Sequence, residues 1–249
     1  MRWFLKWKFW PLLMAIAVSG CSTTSAIKET PQTPAMQAKV SSNQAYPIDV
    51  HDPWERFNRG MYNFNAKFDR YLFIPVVDTY ETILPNFVEA GVSNFFSNLG
   101  EISNIINSAL QLKGTSTVVG VSRLALNTTV GILGLWDPAT LIGIYEKKED
   151  FGQALGYWGV GSGPYLVMPI LGPSSLRDTA GFATDSLVFN AIDPLNYDDH
   201  SNREAPVTGL KTIDARHNVK FRYLQGGTPF EYEKVRYLYL KKREFDILK

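Results

Sequence analysis

A regular stripe of large apolar side chains constrains the fold of this chain more than any other feature. Spacings of three and four residues predict a helix of about five turns with one aromatic face, made by Trp54, Phe57, Met61, Phe64, Phe68 and Tyr71. Asp52, Pro53 and Glu55 suit the N-cap, the first turn and the capping-box position, so we expect the helix to begin there. Such a face packs in a core or lies at a lipid interface, and the cationic residues beside it favour the interface.

Helical spacing continues through most of the chain, whereas the alternation typical of β-strands is almost absent. Pro75 and Pro85 are expected to interrupt the pattern, and Gly114 to end a helix. The further predicted helices cover residues 76–84, 86–99, 102–112, 115–126, 174–186, 204–224 and 230–248. We therefore predict an all-α fold in which residues 52–249 form a single helical domain.

Residues 130–144 are almost uncharged and carry an Asp-Pro pair near their middle. The pattern predicts two short apolar segments joined by a turn, with Gly131 and Gly134 in the first segment. The segment is too short to cross a bilayer twice and too apolar to lie in water. It therefore either packs in the core or enters one leaflet of a membrane.

The first 21 residues indicate export and lipid attachment. Three cations precede an apolar run of about ten residues, which is followed by Val18-Ser19-Gly20-Cys21. This order predicts a lipoprotein signal peptide over residues 1–20, with cleavage before Cys21 and acylation of its sulfur. The chain has no second cysteine, so an internal disulfide is excluded and acylation explains the thiol. Residue 22 is serine rather than aspartate, which favours the outer membrane.

Residues 21–51 are rich in Ser, Thr, Gln and Pro and are too polar to offset the entropy of ordering them. They predict a flexible tether between the lipid anchor and the domain. The full chain has a formal net charge of +1, which gives no basis for nucleic-acid binding.

The sequence offers little catalytic chemistry. Ser162 lies one position away from the nucleophile of a Gly-x-Ser-x-Gly elbow, and no strand is predicted before it. The three histidines, His51, His200 and His217, lack the spacing of zinc ligands. We therefore predict neither an enzyme nor a metal or cofactor site.

Arg177 and Asp178 are a separate case, because a partly buried arginine fork suits a phosphate head group. A plain ion pair between the two side chains is the simpler interpretation, and we favour it.

Several motifs resemble the VacJ family of outer-membrane lipoproteins, also called MlaA, over roughly residues 52–193. The matching segments are Asp52–Arg59, Met61–Asn65, Asp150–Gln153, Gly163–Tyr165, Pro169, Gly172–Ser174 and Leu176–Asp178. The resemblance implies a ring-like helical domain in the inner leaflet of the outer membrane, with an amphipathic pore for mislocalised phospholipids. It also implies a soluble periplasmic lipid carrier and a trimeric porin as partners.

The resemblance and the residues together predict phospholipid removal from the outer leaflet. Candidate lipid, pore or interface residues are Trp54, Phe57, Asn63, Phe64, Asn65, Gly131, Gly134, Arg177 and Asp178, beside the lipidation site Cys21. Two alternatives remain at this point. The Tyr-rich and cationic final helix suggests a porin-associated scaffold, and Ser162, Asp178 and a histidine would serve a lipid or cell-wall hydrolase.

Overall fold

A computed structural model describes residues 52–195, 204–225 and 227–249. The predicted signal peptide and the whole predicted tether, which includes Cys21 and His51, lie outside these residues, as does His200. The described chain is predominantly helical, which confirms the predicted fold class. Its helices are α1 (Glu55–Phe68), a π-helical segment (Asp69–Phe73), α2 (Ile74–Ile83), α3 (Asn86–Leu110), α4 (Gly114–Thr129), α5 (Pro138–Leu141), α6 (Phe151–Tyr157), α7 (Leu176–Ile192), α8 (Glu204–His217) and α9 (Glu231–Leu248).

The sequence pattern predicted a break at Pro75, and this prediction is wrong because the helical path continues through it. The π-helical segment leads from α1 directly into α2, where Pro75 lies in the first turn. A wider π turn relieves the clash that the proline ring would make in a regular α-helix. α1, the π segment and α2 therefore form one continuous helical path.

Helix α3 was predicted as two helices and is a single one, because Gly100 and Glu101 continue its hydrogen bonding. Gly114 was predicted to end a helix and instead begins α4. Leu112 adopts a φ of 57° between α3 and α4, so the reversal is made by this residue rather than by a glycine. α3 and α4 pack closely as an antiparallel pair joined by a short loop.

A short β-hairpin was not expected from the sequence. β1 (Tyr165–Met168) pairs antiparallel with β2 (Gly172–Ser175), with Tyr165 opposite Ser175. Strands of four residues are too short to give a clear alternating pattern. The hairpin is a small addition to a helical domain.

Two asparagines of α1 bind the edge of this hairpin. Asn58 donates to the carbonyl of Tyr165 at 3.0 Å and accepts from the amide of Val167 at 2.9 Å. Asn65 donates to the carbonyl of Met168 at 2.9 Å and accepts from the amide of Ile170 at 2.7 Å. The side chains thus satisfy backbone groups that a neighbouring strand would otherwise pair.

Asp52 was predicted as an N-cap and has a different role. Its side chain is 1% exposed and accepts hydrogen bonds from Asn58 at 2.8 Å, Tyr232 at 2.5 Å and Arg236 at 3.0 Å. These contacts join the start of α1 to α9, 180 residues further along the chain. The apolar cluster beside them is small and consists of Tyr62, Tyr165, Val167 and Tyr232.

Candidate functional site

The distribution of polar and apolar side chains in the described residues is the reverse of that in most soluble domains. The buried set is dominated by Asn, Gln, Asp, Glu and Arg, whereas many large apolar side chains of the same helices are exposed. α3 shows this clearly, because the residues it buries are mostly polar: Glu89, Asn98, Glu101, Asn104, Asn107 and Ser108, beside Phe96. None of the helices in residues 52–195, 204–225 and 227–249 has both the length and the hydropathy to cross a bilayer.

The aromatic face of α1 points outward over half its length. Trp54, Phe57 and Phe64 are exposed, Phe57 by 52% of its surface. Met61 and Phe68 are partly covered, and Asn63 is half-buried. Met61 packs against the apolar core cluster, whereas the exposed Trp54, Phe57 and Phe64 support the interpretation as an interface helix.

Asn65 does not share that exposure, although we grouped it with the interface candidates. It is 2% exposed, and both ends of its amide hold the β-hairpin. Asn65 therefore has a structural role. The sequence did not predict this role, because Asn65 directly follows the exposed Phe64.

The apolar segment 130–144 carries the largest group of exposed hydrophobic side chains close together in sequence. They are Val130, Ile132, Leu133, Leu135, Trp136, Leu141 and Ile142. Of the two placements that the sequence left open, core packing is therefore excluded. The segment has the surface of an element that contacts lipid.

Gly131 and Gly134 lie beneath this apolar surface rather than on it. A Cβ at Gly134 would come within 2.6 Å of the Cβ of Asn98, and its φ is 89°. A Cβ at Gly131 would overlap the carbonyl oxygens of Asn127 and Trp136. Both glycines are needed for close packing of the segment against α3 and α4, and neither offers a side chain to a lipid.

A buried polar network holds the apolar segment from below. Arg123 of α4, 2% exposed, pairs with Glu101 of α3 and lies 3.1 Å from the carboxylate of Asp137. It also donates to the carbonyl of Ile144 at 2.6 Å. Asp137 caps α5 through the amide of Thr140 at 3.0 Å. The guanidinium thus fixes both the middle and the end of the segment.

Arg177 and Asp178 form the predicted ion pair at 3.0 Å. Sequence reasoning missed Arg243 of α9, which donates to Asp178 at 2.9 Å and forms two bonds to Asp150, of 2.6 and 2.7 Å. Burial would raise the pKa of Asp150, but the hydrogen bonds and charge of Arg243 outweigh it and lower the pKa to about 2. The cluster joins α6, α7 and α9.

The residues proposed for a hydrolase each bind different partners. Ser162 contacts the carbonyl of Gly163 at 3.4 Å, and Asp178 receives bonds from arginines and from Tyr239 at 2.8 Å. His217 binds Glu81 at 2.7 Å. Ser162, Asp178 and His217 are not hydrogen-bonded to one another, so these three side chains do not form a catalytic triad. Over the described ranges, no group of three or more His, Cys, Asp or Glu side chains could hold a metal.

The tyrosines and cations of α9 that suggested a scaffold divide between the interior and the surface, where Lys234, Tyr237 and Lys242 are exposed. Tyr232, Arg236 and Arg243 are buried, and Tyr232 packs edge-on against Tyr62 with ring centroids 5.7 Å apart. These residues hold α9 to the domain. The buried residues are therefore unavailable to a partner, and only the exposed side chains of α9 could serve the scaffold hypothesis.

One sequence signal could have found the polar network. Asn98, Glu101, Asn104, Asn107 and Gln111 recur at spacings of three and four along an otherwise apolar stretch. A polar stripe on an apolar helix indicates a helix whose polar face is buried and whose apolar face contacts lipid.

Fold and surface together define a class: a helical domain with an apolar exterior over a hydrogen-bonded interior, suited to a lipid environment. The model of the MlaA lipoprotein family matches residues 50–246, and the chain belongs to that family. Membership of a lipoprotein family and the exposed apolar surface together indicate a membrane-associated protein.

Individual relatives agree with this assignment. An uncharacterised protein of Rickettsia prowazekii is 37% identical over 173 residues, which are 69% of this chain and 67% of the relative. The intermembrane phospholipid transport system lipoprotein MlaA of Escherichia coli is 38% identical over 138 residues, covering 54% of this chain and 55% of that protein. A solved structure, from work on the structural basis for maintenance of bacterial outer membrane lipid asymmetry, is 29% identical. It superposes with a TM-score of 0.64 over 80% of this chain and 100% of its own.

Proposed function

We propose that this protein removes mislocalised phospholipids from the outer leaflet of the outer membrane and passes them to a periplasmic carrier, which maintains lipid asymmetry. The observation that carries the proposal is the inverted distribution of polarity. Apolar side chains of α1 and of residues 130–144 face outward, while the interior is lined by amides and ion pairs. Such a domain lowers its free energy by contacting lipid and keeps polar groups together inside.

The names of the relatives support the same function. The relatives from Escherichia coli and Shigella flexneri are named as lipoproteins of an intermembrane phospholipid transport system. The exposed apolar segment of this chain also fits lipid transport, and Ser162, Asp178 and His217 are not arranged together for hydrolysis. The transport step itself needs no chemistry from the side chains, only a path for the lipid.

Deletion of the gene tests the proposal. We expect phospholipid to accumulate in the outer leaflet and sensitivity to detergent to rise, and a plasmid copy of the wild-type gene to reverse both. Unchanged surface phospholipid in the deletion strain would reject phospholipid removal. Release of fatty acid or glycan fragments by the purified protein, abolished by Ser162→Ala, would favour the hydrolase alternative instead.

The lipid anchor is part of the proposal. Signal peptidase cleavage before Cys21 and acylation of its sulfur would leave residues 21–51 as a tether to the membrane. Mass spectrometry of the purified protein should find an N-terminal peptide that begins at Cys21 and carries acyl chains. Cys21→Ser should prevent acylation, and an unmodified wild-type Cys21 would contradict the anchor.

The trimeric porin and the soluble periplasmic carrier are proposed partners. Extraction in mild detergent, followed by mass spectrometry, should recover glycerophospholipid together with a porin. Recovery of a porin with no lipid would favour the scaffold alternative. Carrier binding is tested by transfer of labelled phospholipid from vesicles containing this protein to the carrier.

Asn63 and Phe64 are proposed to influence how the domain seats in the membrane. Phe64 is exposed and stacks on Phe68 with ring centroids 5.9 Å apart, while Asn63 is half-buried on the adjacent side of the helix. Substitutions at both positions should change outer-membrane permeability. Alanine variants with unchanged permeability would exclude this role.

A further inference from the structure

A cavity of about 270 Å³ lies where the aromatic face of α1 ends. Its walls come from α1, the π-helical segment, the tip of the β-hairpin, α8 and the segment that follows α8. Its apolar lining includes Phe68, Phe73, Ile170, Leu171, Ala215 and Phe221. The volume exceeds the roughly 150 Å³ of an engineered protein cavity that binds benzene.

The π-helical segment leads the aromatic face into this cavity. In a π turn, residues five apart lie on the same side of the helix. Phe68 and Phe73 are five apart, and their ring centroids are 5.0 Å apart. Phe64, exposed on the interface side, stacks on Phe68. A row of three rings therefore runs from the exposed face to the cavity wall.

The charged and amide side chains at the cavity are hydrogen-bonded to one another or to the backbone. Arg216 donates to both carboxylate oxygens of Asp69, at 2.5 and 2.8 Å, and to the carbonyls of Val219 and Phe221, at 2.7 and 3.1 Å. Both amide atoms of Asn65 are bonded to the hairpin. These bonds leave neither charge nor amide turned toward a polar ligand, so the cavity offers hydrocarbon walls.

The rim of the cavity is apolar and exposed. Ile170, Leu171, Val219 and Phe221 each expose between two-fifths and three-fifths of their surface. Ile170 has a φ of 68°, a left-handed conformation that a β-branched residue rarely adopts, and it sits at the hairpin tip beside the cavity. The cavity mouth is therefore formed by exposed apolar side chains of the hairpin tip and of the segment after α8.

We infer that this cavity binds one hydrocarbon tail of a phospholipid and leaves the head group outside. The inference rests on the proposed function and adds a tail-binding subsite to it. The apolar walls, the internally paired Asp69 and Arg216, and the aromatic row that continues the lipid-facing surface all favour an aliphatic chain. A lipid whose tail enters here would be held beside the hairpin while its head group stays in a polar environment.

Photocrosslinking tests the subsite. The full-length protein is reconstituted in phosphatidylethanolamine vesicles that contain a phosphatidylethanolamine probe with a diazirine in the middle of one acyl chain. After irradiation, peptides that contain Phe73, Leu171 or Phe221 should carry the probe. A second probe with the diazirine on the head group should leave these peptides unlabelled.

Matched variants on α8 provide the control. Ala215→Phe fills the cavity and should reduce acyl-probe labelling of these peptides at least tenfold. Ala205→Phe places the same side chain at an exposed position of α8 that does not line the cavity, and labelling should stay within twofold. Thermal unfolding checks that each variant is folded, and Thr212→Phe replaces Ala215→Phe if the latter is not.

Three results would overturn the inference: no acyl-probe adduct on these peptides, adducts that persist when the cavity is filled, or equal labelling by the head-group probe. If the wild-type gene restores lipid asymmetry but the cavity stays unlabelled, the proposed function stands and the tail-binding subsite is rejected. If the acyl probe labels the cavity but the wild-type gene fails to restore lipid asymmetry, the proposed function is rejected and the hydrocarbon-binding site stands.

Discussion

Residues 130–144 and helix α9 show opposite relations between hydrophobicity and burial. The first segment is almost uncharged and exposes most of its apolar side chains, Leu133 by 67% of its surface. Helix α9 is rich in Lys, Arg, Glu and Tyr, yet it buries Tyr232, Arg236 and Arg243. Both are held by buried arginines: Arg123 fixes the apolar segment, and Arg243 fixes α9.

The contrast teaches that apolar content does not indicate the core in this domain. Where lipid replaces water outside, exposed hydrophobic side chains cost little free energy, whereas an unpaired polar group is costly. Stability inside must then come largely from hydrogen bonds and ion pairs.

Removal of Arg123 should have the largest effect. Arg123→Met leaves Glu101 buried without its ion-pair partner and releases the carbonyl of Ile144, so we expect a loss of about 3–5 kcal/mol in the free energy of unfolding. Denaturant unfolding in detergent measures it. Hydrogen exchange in residues 130–144 should rise at the same time. Lys242→Ala removes an exposed pair with Asp246 and is the control, with an expected change of about 0–1 kcal/mol.

The corresponding change at α9 is Asp52→Asn. The amide keeps the shape but loses the charge that Arg236 and Tyr232 bind, so a loss of about 1.5–3 kcal/mol is expected. Proteolysis should then release α9 before the rest of the domain. A variant as stable as the wild type, with α9 equally protected, would show that buried charge does not hold this helix.

Gly134→Ala tests whether close packing holds the apolar segment. The new Cβ would meet Asn98 at 2.6 Å at a backbone φ of 89°, and we expect destabilisation of about 1–3 kcal/mol. Gly143→Ala is a matched control, because Gly143 has a similar φ of 85° but open space around it. Equal losses in the two variants would assign the effect to backbone strain alone.

Acid should weaken the attachment of α9. Arg243 lowers the pKa of Asp150 to about 2, and it also lowers the pKa of Asp178 against the effect of burial. A depressed carboxyl pKa stabilises the fold above its unfolded pKa of about 4 and loses that contribution as pH falls to about 2. Unfolding measured from pH 5 to 2 should show this loss. Arg243→Met should flatten it, and an unchanged slope in that variant would contradict the assignment.

Substitution at the exposed side of residues 130–144 should change stability least. Leu133→Ser removes an exposed apolar side chain, so unfolding in detergent should change by no more than about 0.5 kcal/mol. Retention of the detergent-free domain on vesicles should fall, because an apolar contact with lipid is lost. A large loss of stability with unchanged vesicle binding would mean that Leu133 packs against the protein.

The sequence by itself determined the helical class, most of the helices, the apolar segment and the motifs of the family. These follow from local spacing, because a helix brings residues three and four apart to one face regardless of its neighbours. The same spacing identified the aromatic face of α1, but it left open whether that face met protein or lipid. Exposure in the folded domain favours lipid for Phe57 and Phe64.

The tertiary structure decided what local spacing does not encode. Several contacts connect residues that lie from 65 to 184 positions apart in the chain. Arg243 binds Asp150 and Asp178, Asp52 binds α9, and Asn58 binds a four-residue strand. No periodic pattern links such positions, because their partners are chosen by how helices pack and which buried polar groups then need a partner. In this domain the periodic pattern specifies the helices, and the buried pairs specify how the helices fit together.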